Sequence, residues 1–297
     1  MNTLIVGSSG KIGRYLLKQY NKRSAIFTYN KNKIKNGIKF DILKNDINNI
    51  IKKKKIKKVI ILSGISDPDN CFRYKKKSNN VNVVGMKKMI NKIIKKNLYF
   101  IFFSTEFIYD GKKGNYSEKN KAKPINVYGK QKYLIEKFIN LNTKNCAIFR
   151  IAKTYGDNLN DKSFVSDIFI KLLDGKKNFN ISTDQKFSPL FVKDLSRIIK
   201  IFLSKEIKGT YNVGGPEKYS RYSAFQKITN GLDSNIKKHI KINKSLLKKF
   251  NFADKRPLNV TFNIKKLKKV INFKMTGITA VASNIIKNNK LNEKIFN

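Results

Sequence analysis

The chain has 297 residues, of which 40% are apolar, so it is long enough for one large or two moderate domains with a folded core. Its formal net charge of +46 arises from 65 Lys and Arg residues against 19 Asp and Glu residues. Only seven of the 65 are Arg, and the Lys residues are spread along the chain, whereas surfaces that read bases favour Arg. The composition therefore argues against a specific nucleic-acid partner.

Short apolar runs alternate with segments of helical periodicity in the first half of the chain. Continuous apolar strands separated by helices are typical of a parallel sheet that is covered on both faces. The pattern therefore predicts a doubly wound α/β fold. The predicted strands lie at 4–6, 25–27, 59–62, 100–103 and 147–151, and the predicted helices lie at about 12–22, 43–55, 80–96 and 126–141.

The alternation becomes less regular after about Tyr155. Two further helices, the strand-like segments FNIS and GTYNV and a mainly helical, Lys-rich remainder are expected there. We therefore predict a Rossmann-type sheet domain and a smaller, discontinuous C-terminal substrate domain. The first would comprise 1–155 with a returning segment at about 188–214, and the second 156–187 and 215–297.

A glycine-rich turn, GSSGKIG, follows the first predicted strand. Its spacing differs by one residue from the dinucleotide fingerprint G-x-G-x-x-G. Between a strand and a helix, glycines permit positive φ and close backbone approach, and the amides at the helix start attract a pyrophosphate. A tight turn without a ligand is the alternative. The turn residues expected to contact a dinucleotide are Gly7, Ser9, Gly10, Lys11, Ile12 and Gly13.

The second predicted strand ends in TYNKNK, where an NAD site usually carries an acidic residue for the ribose hydroxyl. Asn30, Lys31 and Lys33 stand there instead, and nearby cations suit a 2′-phosphate. The sequence therefore favours NADP(H) over NAD(H). Residues at the ends of the following strands would complete the site, although a solvated Asp or a turn Gly explains each of them alone equally well. They are Asp41, Ile42, Leu62, Ser63, Gly64 and Phe103.

Tyr128 and Lys132 are four residues apart on the helix predicted after Pro124, so their side chains share a face. A neighbouring ammonium group lowers the pKa of a phenol from about 10 and suits it to proton transfer. Thr105, beside Ser104 at a strand end, offers a hydroxyl for a reacting carbonyl. An isolated Tyr-x-x-x-Lys usually forms a surface pair, but the order of phosphate turn, strand-end hydroxyl and Tyr-x-x-x-Lys favours a site.

Taken in this order, the motifs resemble those of the extended short-chain dehydrogenases/reductases over nearly the whole chain. STEFIYDG, YSE and PINVYGKQK are similar to the catalytic stretch of the dTDP-4-dehydrorhamnose reductase branch, and RIAKTYG, DQKFSPLFVKDL, GTYNVGG and KRPLNV to its later landmarks. The resemblance implies that Tyr128 donates the proton, that Lys132 supports it and binds the cofactor, and that Thr105 holds the carbonyl. The residues expected to contact the substrate are Ser104, Thr105, Glu106, Lys153 and Arg256.

Several positions depart from the family pattern. Glu106 stands where Asp is usual, Leu190 where Thr is usual, and the segment 72–79 is unusually basic. Phe107 follows Glu106, so the second carboxylate that the related 4,6-dehydratases need is missing, and dehydration is not expected. These departures bear on the identity of the sugar more than on the class of reaction.

The resemblance implies NAD(P)H-dependent reduction of a 4-keto group on a nucleotide-activated deoxysugar, for a surface polysaccharide. A homodimer is compatible with the family. The alternatives are a non-catalytic, cofactor-binding regulatory subunit of another enzyme, a sugar-nucleotide epimerase, and a Lys-driven binder of nucleic acid or membranes.

Cysteine and histidine are too sparse for a metal site or a His-based triad. Cys71 and Cys146 form no CxxC motif, and His239 is the only histidine. The chain opens on the apolar run NTLIV without a leader-like segment, and it contains no apolar stretch of about 18 residues. We therefore expect a cytoplasmic protein without a metal and without membrane insertion.

Overall fold

The computed structural model describes residues 2–20 and 25–295. The strands are β1 (Thr3–Val6), β2 (Ala25–Tyr29), β3 (Ile38–Lys39), β4 (Lys58–Ile61), β5 (Tyr99–Thr105), β6 (Cys146–Ile151), β7 (Thr154–Tyr155), β8 (Asn178–Ser182), β9 (Lys186–Phe187), β10 (Leu190–Phe191), β11 (Gly209–Val213), β12 (Tyr219–Ser220) and β13 (Lys241–Ser245). The helices are α1 (Lys11–Gln19), α2 (Ile47–Lys53), α3 (Pro68–Arg73), α4 (Lys75–Asn79), α5 (Met86–Lys95), α6 (Val127–Asn142), α7 (Phe164–Leu173), α8 (Val192–Lys205), α9 (Arg221–Thr229), α10 (Ser234–His239), α11 (Lys265–Lys268), α12 (Ile278–Asn288) and α13 (Leu291–Lys294). A π-helical segment, Asn80–Gly85, joins α4 to α5.

Seven of the described strands form one parallel sheet in the order β11-β6-β5-β4-β1-β2-β3. The chain builds the sheet outward from β1 in one direction through β2 and β3, and then in the other direction from β4. This confirms the predicted doubly wound α/β fold. In such sheets, ligands bind beyond the carboxyl ends of the strands, where the direction of building reverses.

Hydrophobic clusters cover both faces of this sheet. Because successive side chains of a strand point to opposite faces, Ile5 and Ile101 join the cluster under α1 and α8. Leu4 and Phe100 join the cluster under α2, α5 and α6. The central strands are therefore buried on both sides, which explains why they appear in the sequence as continuous apolar runs instead of alternating ones.

A third hydrophobic cluster lies outside the sheet. It is built from α7, α9, α12 and β8, with Phe169, Phe225 and Ile285 among its fully or nearly fully buried side chains. The short pairings β7 with β10, β9 with β12 and β8 with β13 belong to this part of the chain. We predicted a second domain here, and its boundaries stay a prediction, although β11 and α8 do pack with the large sheet.

Helix α3 and strand β13 are among the elements that were not expected from the sequence. Helix α3 begins after Asp67, whose carboxylate accepts a hydrogen bond from the Asn70 N–H at 2.7 Å, and Pro68 occupies its first position. Strand β13 lies in a stretch predicted as mainly helical. Its five residues pair in parallel with β8, but most of their side chains are exposed, so the sequence carries no period-two apolar pattern.

The start of a helix differs from the predicted start where a side chain caps the first turn. Helix α2 begins at Ile47, later than predicted, because the Asp46 carboxylate accepts a hydrogen bond from the Asn48 N–H at 2.8 Å. The helix predicted for 80–96 begins with the π-helical segment. Residues 21 and 22, which the first predicted helix would include, lie outside the described residues.

Candidate functional site

A large cavity opens beyond the carboxyl ends of the parallel strands. Its volume is about 1500 Å³, whereas a pocket for one small molecule usually measures about 300–1,000 Å³. One wall consists of the segments that follow β1, β2, β4, β5 and β6. The other consists of α7, β8, β9, α9 and residues 247–256. The cavity therefore has room for two ligands, one against each wall.

Every site residue that we predicted from the sequence lines this cavity. They come from distant parts of the chain, and the parallel arrangement of the strands brings them to one edge of the sheet. They are Gly7, Ser9, Gly10, Lys11, Ile12, Gly13, Asn30, Asp41, Ile42, Leu62, Ser63, Gly64, Phe103, Ser104, Thr105, Glu106, Tyr128, Lys132, Lys153 and Arg256.

The glycine turn fits a dinucleotide because side chains are excluded from it. Gly7 has a φ of +88°, and a Cβ atom there would lie 2.7 Å from the backbone nitrogen of Ser63. A Cβ atom at Gly13 would overlap the carbonyl oxygen of Ser8. Among the residues that the structure describes, no side chain caps the start of α1, and its first turn carries no acidic residue. Its first backbone N–H groups are therefore available to a pyrophosphate.

We expect Gly7→Ala and Gly10→Ala to separate the structural and ligand-binding parts of this turn. Gly7→Ala should lower the free energy of unfolding by about 2 kcal/mol, because alanine is strained at positive φ and would crowd Ser63. Gly10 has a φ of −73°, and a Cβ there would meet nothing closer than 3.6 Å. Gly10→Ala should therefore fold with unchanged stability.

Both variants should lose dinucleotide binding, because a methyl group in the turn keeps the pyrophosphate from the backbone. Chemical denaturation and titration with NADPH measure the two effects separately. Equal stability of the two variants would contradict this account of Gly7, and normal NADPH binding by Gly10→Ala would contradict the account of the ligand.

The end of β2 lies at the rim of the cavity. Asn30 and Lys31 line the cavity, whereas Lys33 does not. Asp41, beyond β3, also lines it, but one of its carboxylate oxygens accepts a hydrogen bond from the Leu43 N–H at 2.9 Å. Lys31 is thus the cation at this strand end that faces the cavity.

Tyr128 is nearly buried, with 8% of its surface exposed. Burial raises the pKa of its phenol well above the usual range, the charges of Cys71 and Glu106 raise it further, and the Thr105 hydroxyl lowers it. The sequence predicted that Lys132 would lower this pKa; that direction was wrong for the protein without ligands, because loss of hydration outweighs the neighbouring groups. The phenol therefore carries its proton at neutral pH.

Lys132 is buried on the same helix as Tyr128. Its Nζ donates a hydrogen bond to the carbonyl oxygen of Phe103 at 2.8 Å and lies 4.9 Å from the centre of the Phe102 ring. Burial lowers the pKa of Lys132 to about 8. Lys132 is therefore held by β5 and takes its orientation from the backbone of that strand.

Asn82 supports this site without lining the cavity, and sequence analysis missed it. It lies in the π-helical segment, where its side chain accepts from the Ile65 N–H at 2.8 Å and donates to the Ile65 carbonyl at 2.9 Å. Its amide also donates to Gln131, the neighbour of Lys132, at 2.8 Å. Asn82 therefore ties the loop after β4 to helix α6. An asparagine in a helical segment is a weak signal, but π-helical turns are frequent at functional sites.

Ser104 lines the cavity, but its hydroxyl is engaged elsewhere. It donates a hydrogen bond to a carboxylate oxygen of Glu136. The same carboxylate forms a buried ion pair with Arg150 at 2.7 Å. We therefore leave Ser104 out of the proposed substrate contacts and assign its hydroxyl to this internal network.

Glu106 is buried at the start of the turn that follows β5, with 4% of its surface exposed. Burial raises the pKa of its carboxyl group to about 7, although the charges of Arg221 and Lys153 and the backbone N–H of Lys153 lower it. Its Oε2 atom is buried and has no hydrogen-bond partner within residues 2–20 and 25–295. A buried polar atom of this kind is costly unless a ligand satisfies it.

The two basic residues expected at the substrate differ in their surroundings. Arg256 forms an ion pair with Asp69 at 2.9 Å and stacks on Phe252 at 4.7 Å. Lys153 follows β6, and burial, followed by the positive charges of Arg221 and Lys11, lowers its pKa. Arg256 is thus already neutralised, whereas Lys153 lies near two further cations and also near the carboxyl groups of Glu106 and Asp67, with which it forms no ion pair among the described residues.

Leu190 does not line the cavity, although its departure from the family pattern was expected to bear on the identity of the sugar. Its side chain is fully buried in the hydrophobic cluster under α8. This departure therefore concerns packing. Within residues 2–20 and 25–295, no group of three or more His, Cys, Asp or Glu side chains could hold a metal ion. No helix in those ranges is long and apolar enough to cross a membrane.

Solved structures share the fold over almost the entire chain. A hypothetical dTDP-4-dehydrorhamnose reductase from Sulfolobus tokodaii is 26% identical, with a TM-score of 0.82 and coverage of 94% of this chain and 98% of that one. A dTDP-4-dehydrorhamnose reductase from Bacillus anthracis str. Ames, solved in complex with NADP, is 21% identical, with a TM-score of 0.80 and coverage of 97% and 99%. At the latter identity the likeness shows the fold alone.

The chain is also similar to a subunit of a different enzyme. Methionine adenosyltransferase 2 subunit beta from Bos taurus is 25% identical over 230 residues, which cover 74% of this chain and 68% of that protein. The matches to the subunits from several other vertebrates span less than half of those proteins' length. A family model described as the RmlD substrate binding domain matches residues 1–290, and the chain belongs to this family.

Proposed function

We propose that the protein is an NAD(P)H-dependent reductase that converts the 4-keto group of a nucleotide-activated deoxysugar to a hydroxyl group. The observation that carries this proposal is the convergence of Thr105, Tyr128 and Lys132 with the glycine turn in one cavity. The cavity is larger than one small ligand needs, as a cofactor and a substrate side by side would require.

The residues of the sheet wall would hold the cofactor. The glycine turn and the start of α1 suit the pyrophosphate, Asn30 and Lys31 suit a 2′-phosphate, and Lys132 suits the nicotinamide ribose. A bound reduced nicotinamide supplies the hydride, and the protein supplies orientation and proton transfer. Residues 62–64 and Phe103 line the intervening part of this wall.

Tyr128 and Thr105 would handle the carbonyl oxygen. The Thr105 hydroxyl donates a hydrogen bond to that oxygen and keeps the ketone against the sheet. The protonated phenol of Tyr128 then transfers its proton to the same oxygen as the carbon is reduced. The raised pKa keeps this proton on the phenol at neutral pH in the protein without ligands. The proton moves as the carbonyl oxygen gains negative charge during the reduction and becomes a stronger base than the phenolate.

We expect NADPH to bind more tightly than NADH, with Lys31 responsible for much of the difference. Lys31→Ala should weaken NADPH binding about tenfold by loss of a charge-assisted contact, and it should leave NADH binding unchanged. Lys33→Ala is the matched control, because Lys33 lies on the same segment but outside the cavity lining. Nicotinamide fluorescence measures both affinities. Equal affinity for both cofactors would contradict the preference, and binding of neither would contradict the reductase.

A second candidate function is that of a cofactor-binding subunit of another enzyme. The observation that favours it is the similarity to methionine adenosyltransferase 2 subunit beta. Such a protein would bind a dinucleotide, co-purify with a partner enzyme and turn over no keto-sugar. We prefer the reductase because Thr105, Tyr128 and Lys132 are all present. We extend the proposal to a cytoplasmic step of surface polysaccharide synthesis, and a homodimer stays a prediction.

A further inference from the structure

Arg221 begins α9, on the cavity wall opposite the sheet, and none of the sequence motifs drew attention to it. Its Nε donates a hydrogen bond to Gln185 Oε1 at 2.9 Å. Its guanidinium carbon lies 3.9 Å from the centre of the Phe187 ring. These contacts hold one edge and one face of the guanidinium group. Among the described residues, no hydrogen bond or ion pair uses its two terminal nitrogens.

Lys153, on the sheet wall of the cavity, is a second positively charged residue that faces the same space as Arg221. The positive charges of Arg221 and Lys11 lower the pKa of Lys153 beyond the lowering that burial causes. Burial also lowers the pKa of Arg221, and the charge of Glu106 raises it. Neither Arg221 nor Lys153 has an ion-pair partner within 4.0 Å in the part of the chain that the structure describes. Two partly desolvated cations thus face one space, and the buried carboxyl group of Glu106 acts on both of them without forming an ion pair with either.

We propose that Arg221 and Lys153 together bind the diphosphate of the nucleotide-activated substrate, one from each wall of the cavity. This inference rests on the proposed function. It identifies the contact that would determine how the nucleotide sugar is oriented in the cavity. The planar guanidinium group suits bidentate contact with a phosphate, whereas Lys153 contributes a compact charge. An anion between them also relieves the repulsion of the two cations.

Arg256 was the arginine expected at this position from the sequence. Its guanidinium group is neutralised by Asp69, and its NH1 donates to the Asp254 carbonyl at 3.1 Å. Breaking a largely buried ion pair to bind a phosphate is unfavourable. Arg221 needs no such rearrangement, because its terminal nitrogens have no competing partner among the described residues.

The position of Glu106 then orders the substrate along the cavity. Glu106 follows Thr105 directly in the chain, and its charge acts on Arg221. A ketone at Thr105 and Tyr128 would place the sugar ring beside Glu106 and the diphosphate beyond it. The unpartnered Oε2 of Glu106 is available to a sugar hydroxyl. This order gives each polar group of the substrate a partner.

Calorimetric titration with dTDP and UDP, in the presence of saturating NADP⁺, tests the inference without turnover. Arg221→Met keeps the bulk of the side chain and should weaken nucleotide binding about 100-fold, and Arg221→Lys should weaken it about tenfold. Arg197→Met is the matched control, since Arg197 also stacks on an aromatic ring, Phe273 at 3.6 Å, but lies outside the cavity lining. NADP⁺ affinity should be the same in all four proteins.

The outcomes separate the inference from the proposed function. Weaker dTDP or UDP binding by both Arg221 variants, with normal binding by Arg197→Met, supports the inference. Normal binding by Arg221→Met would overturn the inference and leave the proposed function intact. If the unaltered protein bound NADP⁺ but neither nucleotide, the inference and the proposed substrate class would both be wrong.

Discussion

Tyr128→Phe is expected to lower kcat by about 10²- to 10⁴-fold and to leave the affinity for NADPH unchanged. The loss follows from removal of the proton that the phenol would give to the carbonyl oxygen, and general acids contribute rate factors of this size. The ring itself would keep its packing, including the edge-to-face contact with Phe107 at 6.4 Å between centroids. Stability should therefore change little. Stopped-flow oxidation of NADPH with a dTDP-4-keto-deoxysugar measures the effect.

Tyr133→Phe provides the matched control for this experiment. Tyr133 lies on the same helix, its ring faces the Lys137 ammonium at 5.4 Å, and it does not line the cavity. Its hydroxyl can be removed without touching the candidate site, so turnover should stay normal. Near-full turnover by Tyr128→Phe would show that another group supplies the proton, and the role assigned to Tyr128 would have to be abandoned.

Glu106→Gln is expected to abolish a pH-dependent loss of stability. Burial raises the pKa of Glu106 from 4.5 to about 7, against the opposing charges of Arg221 and Lys153. Between these pH values, the folded protein keeps a proton that the unfolded chain has released. The free energy of unfolding therefore falls as pH rises through this window. At 1.36 kcal/mol per pKa unit, the loss above pH 7 is about 3 kcal/mol.

Denaturation curves for the two proteins between pH 4 and about pH 8.5 measure this loss. The difference in free energy of unfolding between the glutamine variant and the unaltered protein should rise by about 3 kcal/mol in favour of the variant across this range. The difference should level off above pH 7. Glu293→Gln is the control, because the Glu293 side chain is 69% exposed and far less desolvated. Parallel curves for the unaltered protein and Glu106→Gln would contradict the raised pKa of Glu106.

The large sheet could be predicted because strands that are buried on both faces appear in the sequence as continuous apolar runs. Ile5 and Leu4 lie on opposite faces and are both fully buried, so β1 appears as an uninterrupted apolar run. The glycine turn could be predicted because Gly7 has a backbone conformation that other residues rarely adopt. Strand β13 has no apolar run of this kind, since its residues are mostly exposed and are held by backbone pairing with β8.

The opposite wall of the cavity was harder to predict than the sheet edge. The sequence motifs identified the residues at the strand ends. No feature of the sequence near Arg221 indicated that α9 would place it against Gln185 and Phe187. One signal was available in the composition. Because Arg is scarce in a chain so rich in Lys, each Arg residue is a candidate for a specific ionic contact. Arg150 and Arg256, for example, both form ion pairs with carboxylates in the structure.

The predicted pKa of Tyr128 was wrong in direction for a physical reason. Sequence spacing placed an ammonium group on the same helix face, but it said nothing about the hydration of the phenol. The Lys132 ammonium is held by the Phe103 carbonyl, and burial dominates the pKa of Tyr128. Desolvation depends on the whole surrounding structure, so motif spacing alone could not reveal it.

Transfer of deuterium from labelled cofactor tests the reductase most directly. The protein would be incubated with NADPH carrying deuterium at the transferable position of the nicotinamide and with dTDP-4-dehydrorhamnose, and the product analysed by mass spectrometry and NMR. We predict one deuterium on the carbon that carried the keto group, in the unaltered protein and in Tyr133→Phe, and almost none in Tyr128→Phe when the incubation is stopped as soon as the unaltered protein has converted its substrate. Tight NADPH binding without any labelled sugar, from this substrate or related 4-keto-deoxysugars, would contradict the reductase.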